Sequence, residues 1–232
     1  MSKHTFIMPD HHQRRSLAWR AWADDKTKDN SMIARSKGVV LQRAGQDDAS
    51  MTGRCGLIDL TVLERCGFRG QQAAAHLLAL NLPVPAQANQ AAVSDHGETV
   101  LRLSAREFWV LSAAEDDTQR LHALSQQPLP TQDCYSLYCQ HSHAWLMLTG
   151  DHRAAVMAKL CAVDMRSEAF AIGCIAQTSA ARSNVIVVHH PWGQHTVFSL
   201  LCDITSAEYL YGALLDAMKE FDGGPVGLES LV

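Results

Sequence analysis

The sequence predicts an α+β fold of two related βαββα halves, with antiparallel sheets and helices packed on them. The first observation is a repeat: Gly70 opens "GQQAAAHLLAL" and Gly150, eighty positions on, opens "GDHRAAVMAKL". Each glycine follows a short apolar run, and alanines and leucines at helical spacing follow each glycine. The second is that a hairpin pattern and then a helical one come after each repeat. With 232 residues, 47% of them hydrophobic, the chain can build a proper core as one larger domain or two small lobes.

Residues 1–50 read as a polar arm of mixed charge, whose few apolar positions include Phe6, Ile7, Leu17, Trp19 and Trp22. Leu17, Ala18, Ala21 and the two tryptophans fit one short amphipathic helix. The two-lobed body is expected over 51–222, with halves at about 54–127 and 134–222, followed by a tail at 223–232.

In the first half, "LIDLTVLERCGFRG" supplies the opening β-type run. "TVLRL", the turn "SARE" and "FWVLSA" make the hairpin at Thr99–Ala113, and "EDDTQRLHALSQQ" the second helix. The second half answers with "HAWLMLTG", "NVIVVHH", the turn "PWGQ" and "HTVFSLLC". Its final helix, "TSAEYLYGALLDAMKEF", has a capping-box pattern in Thr205 and Glu208 and an apolar stripe of Leu210, Leu214, Leu215 and Met218. Gly223, Gly224 and Pro225 stop it.

A net charge of -4 and a pI of about 6.3 give no electrostatic pull toward nucleic acid or anionic lipid. His4, Asp10, His11, His12, Arg14 and Arg15 break up the first thirty residues, so no secretory signal is expected. No stretch approaches the roughly 20 apolar residues of a membrane span. A cytoplasmic protein without a membrane partner is expected. The seven cysteines include no Cys-x-x-Cys pair and have mostly apolar neighbours, the pattern of reduced, buried thiols.

Strand, glycine, helix is the grammar of phosphate loops, but "GFRGQQAAA" at Gly67–Gly70 has neither the Lys-Ser/Thr of a P-loop nor three spaced glycines. Asp151 after the second glycine complements a helix dipole and opposes an anion. His141 with His143, and His189 with His190, are the pairs to weigh as metal ligands. Each lacks a third ligand at suitable spacing, so no metal site is expected. "SDHGE" at Ser94–Glu98 reads as a turn. Asp59, in "GLIDLTVL", is the one carboxylate expected to be buried, bonded to backbone. No catalytic, cofactor-binding or metal-binding residue is therefore assigned. Trp19, Trp22 and Trp192 are the expected partner-interface residues, because a tryptophan outside a core needs a surface to cover it.

The stretch "DLTVLERCGFRGQQAAAHL" resembles the opening of the aminomethyltransferase folate-binding domain of glycine cleavage T proteins. "LALNLPVPAQAN", "VLRLSAREFWVLSA", "CAVDMRSEAFAIGCIAQTSAARSNVIV" and "FSLLCDITSAEYLYGALLDAMKEF" narrow the resemblance to the gamma subunit of heterotetrameric sarcosine oxidase and the related N-methylglutamate dehydrogenase small subunit. Leu103, Glu107 and Phe108 keep that family's frame, with Ser104 and Ala105 in place of its Gly-Pro. Gln177, Thr178, Ser206 and Ala207 match as well, and the resemblance covers about residues 54–222.

It implies an aminomethyltransferase-like fold and an accessory, noncatalytic role in a flavin-dependent complex that demethylates sarcosine or another N-methyl amino acid or methylated amine. Partners would be alpha and beta subunits, with or without delta. FAD, FMN, NAD and tetrahydrofolate would lie in those partners, none in this chain. The alternative is a small tetrahydrofolate-dependent aminomethyltransferase acting by itself, with Asp59 or Asp164 at the folate.

Overall fold

In a computed structural model the described residues are 15–19, 31–35, 38–114, 119–130 and 132–231. Strands β1 (Ser31–Arg35) and β2 (Gly38–Arg43) form a hairpin, and helix α1 (Asp48–Cys55) follows. Strands β3 (Gly56–Asp59) and β4 (Arg65–Arg69) lead to α2 (Ala73–Ala79). Then come β5 (Gln90–Val93), β6 (Thr99–Arg102), β7 (Glu107–Leu111) and α3 (Gln119–Ser125). The second half has β8 (Tyr135–Leu137), β9 (His143–Thr149), α4 (Arg153–Leu160), β10 (Ile175–Ala180), β11 (Ser183–Trp192), β12 (His195–Asp203) and α5 (Ala207–Met218). Strand β13 (Gly224–Pro225) ends the series.

One sheet has the order β5-β6-β7-β4-β8 and the other β10-β11-β12-β9-β3-β13. Matched strand by strand, β5, β6, β7 and β4 correspond to β10, β11, β12 and β9, so the halves share one topology. The fifth strands are exchanged. Strand β3, from the first half, pairs with β9 of the second, and β8, from the second half, pairs with β4 of the first. The run "LIDLTVLERCGFRG" is therefore two strands in two sheets, joined at Leu60–Glu64.

The sheets pack face to face, with Ile58, Trp145, Met147 and Leu201 of one against Leu101, Trp109 and Leu111 of the other. Helices cover the outer faces. Val156, Met157, Leu210 and Leu214 of α4 and α5 lie over Leu146, Leu148 and Leu200, and Ala73, Leu77 and Leu121 of α2 and α3 lie over Phe68, Val100 and Phe108. Burying apolar side chains on both faces of both sheets is the main stabilising contribution, at roughly 1.5–3 kcal/mol for each large aliphatic or aromatic residue.

The repeated glycines stand where the exchange is tied. Both have positive φ, +138° at Gly70 and +86° at Gly150. A Cβ on Gly70 would lie 1.9 Å from the Asp133 carbonyl oxygen, and one on Gly150 would lie 2.3 Å from the Arg54 carbonyl carbon. Asp133 enters β8 and Arg54 enters β3, the two exchanged strands. Only glycine permits that approach.

Several elements differ from the sequence expectation. Strands β5 and β10 extend each expected hairpin to a three-stranded meander. They are short or alternate with polar residues, as edge positions allow, and so lack an apolar run. The 1–50 arm is in part body: Val39, Val40 and Leu41 of β2 are buried, Leu41 in one core and Val40 in another. Three apolar residues among charges give no amphipathic signal until β3 lies beside them. The 223–232 tail also packs, with β13 parallel to β3 and Val226, Leu228 and Leu231 buried. The capping box is replaced: Asp203 accepts from the Thr205 amide at 2.9 Å, and a 3-10 turn at Ile204–Ser206 precedes α5. All seven cysteines are free. Among the described residues no helix is long and apolar enough to cross a membrane.

Candidate functional site

The links that carry the exchanged strands, Leu60–Glu64 and Tyr138–Ser142, run side by side. Their joint is Arg65, which is buried. Its guanidinium donates to the carbonyls of Thr61 at 3.0 Å and Leu63 at 3.5 Å on its own link. On the other it donates to Cys139 at 3.3 Å, Gln140 at 2.8 Å and His143. Gln140 returns the tie, with its side chain accepting from the Arg65 amide at 2.7 Å and donating to Leu63 at 2.9 Å. A buried cation bonded this fully to carbonyls holds backbone in place. Asp59 is buried, as expected, and accepts from the Thr61 amide at 3.1 Å.

The helix starts offer no anion cradle. The amide of Gln72 donates to the Asp133 carbonyl at 2.9 Å, and the equivalent amide of His152 donates to the Arg54 carbonyl at 3.1 Å. At each of these two helix starts a donor that a phosphate would use is taken by backbone leading into an exchanged strand.

The histidine pairs do not converge. His141 is exposed in a turn, while His143 begins β9 with its ring edge-on to Trp109. His189 and His190 point to opposite faces of β11. His189 bonds the Phe170 carbonyl at 2.6 Å and stacks on the Phe170 ring. His190 bonds Ser199 Oγ at 2.8 Å and Thr99 Oγ1 at 3.2 Å, and Ser199 accepts from the Trp145 indole at 2.8 Å. This buried line ties both sheets together. Burial pushes the His190 imidazole down to about 4, so it is neutral at pH 7. Among the described residues no three His, Cys, Asp or Glu side chains are placed to hold a metal.

A cleft of about 570 Å³ lies beside β4 and β8 under α3, bordered by Phe68, His122, Tyr138 and His141. The thiols on it are inert. Burial pushes Cys66 far up and Cys139 up to about 11, which disfavours a thiolate. A second cleft of about 460 Å³ opens beside His143, Gln177, Thr178 and Asp203. Gln177 is occupied there, donating to Asn89 Oδ1 and to the Leu103 carbonyl, both at 2.7 Å.

"SDHGE" does form a turn, between β5 and β6, but Glu98 is wholly buried in it. Its carboxylate accepts from Ser94 Oγ and from Arg120 at the start of α3. Burial raises the Glu98 carboxyl, and the hydrogen bonds from Ser94 and Arg120 outweigh it and bring the group below its ordinary value. Sequence reading missed this pair, since its partners lie 22 residues apart in unrelated patterns. It missed Arg65 for the same reason.

Of the expected interface residues, Trp192 is corrected. It is 2% exposed and meets Trp145 edge to face at 5.3 Å. The two-residue Gly193–Gln194 turn leaves Trp192 paired with His195 on the inward face. Trp19 is half-buried against the core, with Arg15 4.5 Å above its ring, and Trp22 lies outside the described residues.

The family profile described as "GCVT N-terminal domain" matches residues 40–232. A chain of the heterotetrameric sarcosine oxidase from Corynebacterium sp. U-96, solved in complex with pyrrole 2-carboxylate, is 25% identical with a TM-score of 0.56. That match covers 78% of this chain and 95% of the other. The glycine cleavage system aminomethyltransferase T from Bartonella henselae superposes with a TM-score of 0.69 at 16% identity, over 94% of this chain and 60% of that one, a likeness of fold. No curated protein matches the sequence.

Proposed function

The chain belongs to the GCVT N-terminal domain family, and from that premise we propose that it is a gamma-type accessory subunit of a flavin-dependent, multisubunit oxidase or dehydrogenase. The complex would demethylate sarcosine or a related N-methyl amino acid or methylated amine. One observation carries the reading: the match to a chain of a heterotetrameric sarcosine oxidase takes in 95% of that chain. Only 60% of the aminomethyltransferase is matched. A chain of this extent corresponds to a whole subunit of the first and to a part of the second.

The chemistry of the interior supports a noncatalytic role. Arg65, Asp59, Glu98 and His190 are bonded to backbone or to one another inside the body. The residues do not fit tetrahydrofolate: Asp59 is buried on the Thr61 amide, and Asp164 is exposed and paired with Arg166 at 2.6 Å. On this reading FAD, FMN, NAD and tetrahydrofolate would lie in alpha and beta partner subunits of a cytoplasmic complex.

The test is co-expression with the neighbouring reading frames, followed by size-exclusion chromatography and a visible spectrum. Co-elution with yellow partners is expected, and elution alone and colourless overturns the subunit reading. Titration of the isolated chain with tetrahydrofolate tests the stand-alone transferase. Binding tighter than about 10 μM, roughly 7 kcal/mol, would favour that alternative.

A further inference from the structure

The two halves share one topology, and the offset of 80 that carries Gly70 onto Gly150 carries their strand registers with it. Tyr135 and Ser136 of β8 lie opposite Arg69 and Phe68, and Gly56 and Leu57 of β3 lie opposite Thr149 and Leu148. Tyr135 is therefore the counterpart of Gly56, and Ser136 of Leu57. On β3 the next place is filled by the chain itself. Gly224 and Pro225 of β13 run parallel to Gly56 and Leu57, and the Val226 amide donates to the Leu57 carbonyl at 2.9 Å. On β8 that place holds no strand among the described residues. Leu57 is buried, whereas Ser136 is exposed and Tyr135 is 63% exposed. A bare strand edge is a template for a further strand.

The surroundings give the chemistry of that strand. The cleft of about 570 Å³ runs beside β8, lined by Phe68 and by Tyr138, which lies just past the strand and packs on His141 with ring centroids 5.0 Å apart. Glu64 lines the same cleft, and Asp133 is exposed just before β8. Among the described residues neither carboxylate has an ion-pair partner. The Arg65 guanidinium on that cleft donates to the carbonyls of both links. Carboxylates at both ends of the strand and open aromatic rings between them suit a guanidinium or ammonium group.

We propose that a basic, extended segment of a partner subunit pairs with β8 as a parallel outer strand, its amide donating to the Ser136 carbonyl and an arginine or lysine side chain entering the cleft beside Glu64 and Tyr138. The internal duplication sets where and in which direction the segment pairs, and the carboxylates set its charge. A short segment suffices, since β13 pairs over only two residues. The inference rests on the multisubunit reading above.

Hydrogen–deuterium exchange on the complex obtained by co-expression, set against the isolated chain, tests it, together with a Glu64→Gln, Asp133→Asn variant in both states. Amides of 135–138 should exchange at least tenfold more slowly in the complex than in the isolated chain. The variant should weaken the complex about tenfold at low salt and much less at high salt, while its amides of 183–203 keep their protection as the report of an intact fold. A complex that forms and leaves 135–138 as exchangeable as before overturns this inference while the subunit reading stands. So does protection already present in the isolated chain, which assigns the edge to the chain itself or, where it grows with concentration, to a second copy. Unaltered affinity in the variant overturns the basic segment. If no complex forms, the subunit reading falls and the inference with it.

Discussion

The Gln72 amide donates to the Asp133 carbonyl at 2.9 Å, so the first helix of one half is closed by the strand that the other half lends. His152 and Arg54 repeat the relationship at 3.1 Å eighty residues later. The glycine two positions before each donor makes room for that contact.

Gly70→Ala and Gly150→Ala should therefore be severe and similar. Each adds a Cβ to a residue at positive φ, within 2.3 Å of backbone that leads into an exchanged strand. A loss of about 3 kcal/mol or more is expected for either, read from urea unfolding. Gly212→Ala is the control, because nothing lies within 4 Å of its Cβ position in α5.

Arg65→Met should cost about 3–5 kcal/mol, because it strands the carbonyls of both links without a donor. Arg65→Lys should recover only part of this, since an ammonium cannot reach carbonyls on both links as a planar fork does. Chemical denaturation of the three proteins ranks them.

His190 makes stability pH-dependent. Its imidazole is held near 4 in the fold and titrates near 6.5 when unfolded, so the unfolded chain binds more protons between those values. Stability is then full above about pH 6.5 and falls as pH drops toward 4, by roughly 2–3 kcal/mol from this residue. His190→Gln should flatten the dependence of unfolding free energy on pH in that window by about one proton.

Trp192→Ala should cost about 3–5 kcal/mol, as for a large aromatic in a packed core. Trp19→Ala, at a half-buried position, should cost less than half as much. Thermal unfolding separates them. A Trp192 variant of normal stability with weakened partner binding would restore the interface assignment.

Glu98→Gln should loosen α3, since Arg120 then loses its charged acceptor. A loss of about 1–3 kcal/mol is expected at pH 7. The carboxyl of Glu98 lies below its ordinary value in the fold, so its contribution is present above the unfolded value near 4.3 and disappears as pH falls through the folded one. The mutant and the parent should converge in acid urea titrations.

The duplicated plan was legible in the sequence, because it is written in local terms. Gly70 and Gly150 precede two helical spacings at the same offset, and two hairpin patterns end in helices, so fold class and repeat follow from periodicity alone. Local pattern also explains the buried Asp59 and the turn at Ser94–Glu98. The exchange of β3 and β8 was decided only by the tertiary structure. Backbone pairing between residues 66 to 93 positions apart leaves no periodic mark, and a run such as "LIDLTVLERCGFRG" looks the same whether it enters one sheet or two. The same holds for Arg65, Glu98 and Trp192. Their partners are brought near by topology, and burial turns a charge or an indole from a surface feature into part of the frame.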